Sequence, residues 1–438
     1  MFLTAPPMAY TPTMRFPDAE RFLLGRRREG MKFGLHNMER AMRILGRPHE
    51  SYPALLVAGS KGKGSVCSLV ESILQAAGFR TGLYTSPHLV HIRERIRVDG
   101  RPIPPSSFGR LVARLRRSFG ATGPPLTYFE WLTAMAITHF REKKVDLAIF
   151  EVGLGGRLDA TNIVPAETAV VTSVEKEHTD YLGTRLGDIA REKGGVVSPG
   201  GVLLSGVTSP TARRELRRLA SERAATVRWL DDEISWSVRG QSLRGVSLDM
   251  TAGDEKYTRL RLGLLGRHQG RNAALAFLAV RHLRSCGFAA GRSHVRAGLA
   301  RVSWPGRCQY LPGRPPLFLD GAHTPSSARA LADALGELFP GRRRVTVFGA
   351  LSDKKIESLA SILFPGSRRI ILVRPPEERG PAAEDLLRRV PSRWRSRCLL
   401  ARSVPSALRI AAGEAGSRGL VVVTGSLFLV GDVLRRLP

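Results

Sequence analysis

Between residues 54 and 68 the sequence ALLVAGSKGKGSVCS runs from an apolar segment into a glycine-rich loop and then into a helical pattern. Gly59, Gly62 and Gly64 permit backbone turns that aim N–H groups at one point, and the following helix adds the positive end of its dipole. Lys63 supplies a mobile positive charge and Ser65 a hydroxyl within reach of a phosphate-bound Mg²⁺. Ser60 and a second lysine, Lys61, complete the loop. Such a loop suits the phosphates of a nucleoside triphosphate. The match to GxxxxGK[ST] is imperfect, because the first glycine position falls on Val57 and Gly64 separates Lys63 from Ser65. The plainer reading of the same residues is a strand-to-helix turn with solvated lysines.

A second group follows the apolar run at 147–152. Glu151 stands near its end, and GLGGRLDATN occupies residues 153–162. In a parallel sheet the carboxyl ends of the strands form the ligand crevice. A carboxylate there, facing a phosphate loop, can hold Mg²⁺, which takes oxygen ligands and keeps several waters. A surface acid beside a glycine turn is the bland alternative, disfavoured by so dense a run of Gly, Arg, Asp, Thr and Asn.

The elements needed to position these groups alternate along the chain. Strands are expected at 55–58, 81–84, 147–152, 168–173 and 201–205, with helices near 65–77, 128–142 and 186–193. This alternation predicts a mostly parallel sheet with helices on both faces. Short alternating runs at 227–262 read as antiparallel strands, and a helix at 271–285 closes the first domain. A further βα series then begins at 317, with a helix near 325–338 and strands at 344–348, 369–373 and 420–424. The fold class is therefore α/β: a phosphate-loop domain over residues 1–302, and a smaller C-terminal Rossmann-like α/β domain over 303–438. Residues 1–18, polar and punctuated by proline, read as an extension or mobile arm.

A chain of 438 residues exceeds what one core usually supports, in keeping with two domains. No apolar stretch is long enough to span a bilayer, and the N-terminus has no basic start followed by an apolar run. The four cysteines form no CxxC pair, so a reduced cytoplasmic protein without a membrane partner is expected. Net charge is +30, and 58 of the 68 basic residues are arginine. They are spread along the chain without interleaved aromatics, which favours a compositional bias over nucleic-acid binding.

EVGLGGRLDATN resembles the signature of the folylpolyglutamate synthases and bifunctional dihydrofolate synthases, within the Mur ligase superfamily. The resemblance extends over nearly the whole chain: residues 31–53, GLYTSPHLVHIRERIRVDG at 82–100, VTSVEKEHTDYLG at 171–183, IAREKGGV at 189–196, GRHQGRNAALA, WPGRCQYL, LDGAHTP, VFGALSDKK and TGSLFLVG match in order. It implies an ATP-dependent ligase of folate metabolism that phosphorylates a carboxylate and lets the amine of L-glutamate displace the phosphate. Dihydropteroate, folyl-glutamates, or both would be the acceptors, and a monomer is expected.

By this resemblance Gly59, Ser60, Gly62, Lys63, Gly64 and Ser65 cradle ATP phosphates, while Ser86, Glu151 and His178 are Mg²⁺ ligands. By residue type alone His178 reads better as a capping or core histidine. Lys193 matches a lysine carried as a carbamate, a modification that burial would favour by lowering its pKa. Without the resemblance it is an ordinary salt-bridging lysine. Asn272, Arg307, Asp320 and His323 match ATP-facing positions, so ATP would lie between the domains. Each also has a plain role, as a helix-start amide, a linker arginine, a turn former and a loop histidine. Thr127, Phe129 and Glu130, with Leu158, Asp159 and Ala160, match pterin-contacting segments, and Phe129 suits stacking as well as core packing.

Three departures stand out. Ser60 and Lys61 replace the family's Thr and Asn, Glu175-Lys176-Glu177 replaces Gly-Leu-Asp, and Thr324 replaces Asn. Lys61 is a charge the family pattern does not contain, suited either to phosphate or to solvent. The rival readings are a muropeptide ligase, a nucleic-acid-stimulated ATPase and a binding protein without turnover.

Overall fold

Ala54–Ala58 is buried at every position, the pattern of a strand covered on both faces. In the computed structural model, which describes residues 14–30, 34–378 and 380–437, this segment is β1 of an eight-stranded sheet. Its companions in chain order are β2 (Thr81–Tyr84), β3 (Ile96–Val98), β4 (Arg101–Pro102), β5 (Leu147–Glu151), β6 (Thr168–Val171), β7 (Val202–Ser205) and β8 (Thr226–Trp229). The spatial order is β4-β3-β2-β5-β1-β6-β7-β8. All neighbours from β2 to β8 are parallel, and only the edge made by β3 and β4 is antiparallel. Four adjacent strands, β2, β5, β1 and β6, therefore end at one edge of the sheet, and the segments that follow them are brought side by side.

Helices Lys63–Ala76 and Tyr128–Lys143 pack on this sheet, the second buried without interruption from Glu130 to Phe140. Phe140 meets Phe150 of β5 edge-on, with ring centroids 5.6 Å apart. The helix Pro105–Phe119, not among the expected elements, places Phe108, Leu111, Val112, Leu115 and Phe119 in the core. Of the expected N-terminal arm, residues 1–13 lie outside the described residues. From Phe16 onward the chain is helical through Gly25, and Phe16 packs edge-on against Phe108 at 5.3 Å.

The remaining strands form two further sheets. β9 (Ser235–Ser242), β10 (Gly245–Ala252) and β11 (Glu255–Leu262) make an antiparallel meander. β12 (Gln309–Leu311), β13 (Leu317–Leu319), β14 (Arg344–Phe348), β15 (Ser367–Val373), β16 (Cys398–Ala401) and β17 (Leu420–Thr424) form a sheet of order β12-β13-β17-β14-β15-β16, parallel except for β12. By contacts the chain divides into two compact units. One holds the described residues up to Ile234 with Leu275–Gly298; the other holds Ser235–Ala274 with the residues from Leu299 onward. This division differs from a single boundary at 302/303, because the meander of β9 to β11 groups with the C-terminal sheet. Among the described residues no helix is long and apolar enough to cross a membrane.

Glu71, on the helix behind the glycine-rich loop, is buried, and its Oε1 has no hydrogen-bond partner among the described residues. Burial pushes its carboxyl up to about 7, against the pull of Arg97 and of the Gly100 N–H. The neutral acid is thus favoured in the folded state. Its stabilisation is complete below the unfolded-state value and is lost as pH rises through 7. The shift corresponds to about 3 kcal/mol. Glu71→Gln is expected to flatten the fall in unfolding temperature between pH 5 and 8 and to be the more stable protein above pH 8. An unchanged slope in thermal unfolding across that range rules the account out.

Candidate active site

β1 passes into the helix Lys63–Ala76 through Gly59 at φ 142° and Gly62 at φ 83°, both in the region that favours glycine. A Cβ on Gly59 would collide with Thr172 Oγ1. Gly62 is the N-cap and offers no side chain, so the N–H groups of Gly62, Lys63, Gly64 and Ser65 donate to nothing among the described residues. Four unpaired donors at the positive end of a helix form an anion site. Lys63 Nζ folds back onto the Gly59 carbonyl at 2.8 Å, close to those donors and held by a single neutral acceptor.

The loop is stitched to the segment after β6. Ser60 N–H donates to Ser173 O at 2.9 Å, and Lys61 N–H to Ser173 Oγ at 2.9 Å. Thr172 Oγ1 donates to Lys61 O at 2.6 Å, and Glu175 N–H to Ser60 Oγ at 2.9 Å. Thr172 and Ser173 are absent from the residues singled out by sequence. Their signal is the pair of hydroxyls directly after the buried strand β6, which pairs in parallel with β1.

Glu151 ends β5 in register with Val57, beside the last turns of β1 before the loop. It is buried, and its Oε2 accepts the Ser86 N–H at 3.0 Å, so two of the expected metal ligands are brought together. His178 is exposed at φ 49° and stands at the N-cap position of the short helix Thr179–Leu182, without a side-chain capping bond. Among the described residues no three His, Cys, Asp or Glu side chains stand close enough to hold a metal by themselves. One carboxylate with hydroxyl oxygens fits a magnesium-type ion that takes its remaining oxygens from water and phosphate.

Glu177 bridges two lysines: Oε2 lies 3.0 Å from Lys61 Nζ and Oε1 3.0 Å from Lys193 Nζ. Burial acts to raise the Glu177 carboxyl, but Lys193, Lys61 and Lys63 together hold it down at about 2. Lys193 is 2% exposed. Burial, reinforced by Lys63, lowers its ammonium to about 8 despite Glu177. The neutral amine is therefore a larger fraction near pH 8 than in a free lysine.

The glycine-rich turn after β5 is organised by Asp159. Its Oδ2 accepts the Gly153 and Leu154 N–H groups at 3.1 and 3.0 Å, while Oδ1 accepts Thr161 N–H and Oγ1 at 3.0 and 2.6 Å. Gly156 lies so close to the end of helix Leu186–Gly194 that a Cβ would approach the Glu192 carbonyl to 2.8 Å. Thr127 and Glu130 cap the helix Tyr128–Lys143 reciprocally, so both are engaged in local structure. Phe129 packs over Gly153 and beside Tyr84 and remains partly exposed, as does Leu158, whereas Ala160 is buried.

In the second unit, Asp320 follows β13 and is buried. Its Oδ2 accepts Cys308 N–H at 2.7 Å and Oδ1 accepts Ala322 N–H at 2.8 Å, which fixes the backbone next to Arg307. His323 Nδ1 lies 2.8 Å from the Gly321 carbonyl. Thr324 caps the helix Pro325–Leu338 through Ser327, so this departure has a structural role. Asn272 Nδ2 donates to Gln269 within its own helix.

Two family models match the chain: the Mur ligase middle domain over residues 57–280, and the Mur ligase glutamate ligase domain over residues 306–427. The dihydrofolate synthase/folylpolyglutamate synthase of Bacillus subtilis is 33% identical over 429 residues, covering 96% of this chain and 99% of that protein. A Mycobacterium tuberculosis folylpolyglutamate synthase complexed with ADP superposes with a TM-score of 0.89 at 31% identity, covering 96% of this chain and 97% of that one. A bifunctional folylpolyglutamate synthase/dihydrofolate synthase with Mn, AMPPNP and L-glutamate bound gives a TM-score of 0.84 at 32% identity over 97% and 99% of the two chains. The chain belongs to the dihydrofolate synthase/folylpolyglutamate synthase family of ATP-dependent glutamate ligases.

Proposed function

We propose that this ligase adds L-glutamate to dihydropteroate, to folyl-glutamates, or to both, with ATP as phosphoryl donor. The substrate carboxylate attacks the γ-phosphorus and ADP leaves. The glutamate amine then attacks the acyl carbon, phosphate departs, and the amine loses a proton. The observation that carries the reading is the nest of four unpaired N–H groups under Lys63, at the sheet edge where Glu151 and Ser86 also end. Lys63 and the nest neutralise phosphate charge, positioning and electrostatics being what phosphoryl transfer chiefly requires. Ser65, Ser86, Glu151 and His178 would hold a divalent ion, which would offset charge on the transferring group. A related structure with Mn and AMPPNP bound supports a divalent ion accompanying the nucleotide.

Phe129 and Leu158 would contact the pterin, with Thr127, Glu130, Asp159 and Ala160 shaping the turn around it. Arg307, Asp320, His323 and Asn272 would be nucleotide contacts, as the resemblance implies. Lys193 would carry a carbamate: its buried amine, lowered to about 8, is available to CO₂, and the N–C bond forms with loss of a proton.

The test is purified protein with ATP, Mg²⁺ and L-glutamate, offered dihydropteroate and tetrahydrofolate in separate reactions. Mass spectrometry should find products one glutamyl residue heavier, with one ADP released per addition. ATP hydrolysis that DNA or RNA stimulates, with no glutamyl product, would favour the nucleic-acid reading instead.

A further inference from the structure

Lys61 and Lys63 belong to one loop, yet their ammonium groups go to different acceptors. Lys63 Nζ stays on the loop, at the Gly59 carbonyl. Lys61 Nζ leaves it for Glu177 Oε2, and the other oxygen of that carboxylate holds Lys193. We propose that Lys61 is a positioning residue rather than a phosphate ligand: through Glu177 it ties the phosphate loop to the turn that carries His178. The proposal rests on the ligase reading given above.

Two observations support it. The Lys61 backbone is already oriented towards the segment after β6, since its N–H donates to Ser173 Oγ and its carbonyl accepts from Thr172 Oγ1. The ion pair is sheltered, with side-chain exposures of 28% for Lys61 and 15% for Glu177, so solvent screens it less than a surface pair.

The experiment combines Lys61→Ala, Glu177→Gln and the double variant. Each is assayed for glutamate addition, and ATP affinity is measured by calorimetry. A positioning role predicts that Lys61→Ala lowers kcat roughly tenfold and leaves KM for ATP within about twofold. It predicts further that in the Glu177→Gln background the same change costs less than about twofold, because the partner is already gone. Lys61→Arg, which can still reach Glu177, should recover most of the loss. A Lys61→Ala protein with about tenfold weaker ATP binding and unaltered kcat overturns the proposal and makes Lys61 a phosphate ligand. Additive effects in the cycle overturn it too. Calorimetry and a thermal-unfolding cycle of the same variants need no folate substrate. If the wild-type protein adds no glutamate, the ligase reading fails while these two readouts still decide whether Lys61 acts through Glu177 or on phosphate.

Discussion

Replacement of Lys63 by alanine is expected to lower turnover by roughly 10³-fold, the scale seen when one preorganised donor to a developing anion is removed. The ammonium now rests on the Gly59 carbonyl at 2.8 Å, its one hydrogen-bond partner among the described residues. A neutral carbonyl is a weak acceptor for a cation, so an arriving triphosphate displaces it at little cost. The four N–H groups behind it stay in place in the variant, because they are set by Gly59, Gly62 and the start of the helix. ATP should therefore still bind, more weakly, while the transferring phosphoryl group loses its mobile charge. Loss of a single half-exposed hydrogen bond costs about 1 kcal/mol, so unfolding temperature should move by only a few degrees. Single-turnover rates with saturating ATP give the reading directly. A variant within about tenfold of the wild-type rate would remove Lys63 from the chemistry.

The loop and its neighbours were legible in the sequence to different degrees, and the difference is physical. β1 and the turn after it declare themselves locally: an apolar run, glycines where φ is positive, and a helical pattern behind. Glu151 is equally local, the last residue of a buried strand. The order β2-β5-β1-β6 is not local. Every one of these strands is apolar on both faces, so composition alone cannot choose its neighbours, and only pairing such as Val57 with Glu151 places the carboxylate beside the loop. Lys61 illustrates the same limit. Its type suggested phosphate or solvent, but its partner lies 116 residues away. The contact depends on β6 pairing with β1. Thr127, Glu130 and Asp159 show the converse. The resemblance marks them as substrate-facing, and the geometry adds that their polar atoms cap a helix and brace a turn. The helix Pro105–Phe119 carries an open helical repeat of apolar residues among its arginines, so its signal was present in the sequence. The grouping of β9 to β11 with the second unit was not, because a meander's own pattern does not say which sheet it joins.

Glu151→Gln should separate the charge of that residue from its shape. The side chain is buried, and Oε2 accepts the Ser86 N–H at 3.0 Å. A glutamine fills the same volume, and its amide oxygen can take the same bond, so the cis Ser86–Pro87 turn and the end of β5 stay as they are. What disappears is the negative charge at the carboxyl end of the strand. Turnover is expected to fall by roughly 10²–10³-fold, with the Mg²⁺ dependence of the rate displaced to higher concentration. The unfolding temperature should stay within a few degrees of the wild type. Glu151→Ala removes the acceptor for the Ser86 N–H as well, which costs about 1–3 kcal/mol for a buried donor left unpaired. Its loss of activity therefore mixes fold with chemistry. Rates measured against Mg²⁺ concentration for the glutamine variant isolate the charge. If its curve overlays that of the wild type, the carboxylate holds the turn after β2 and the divalent ion is bound elsewhere.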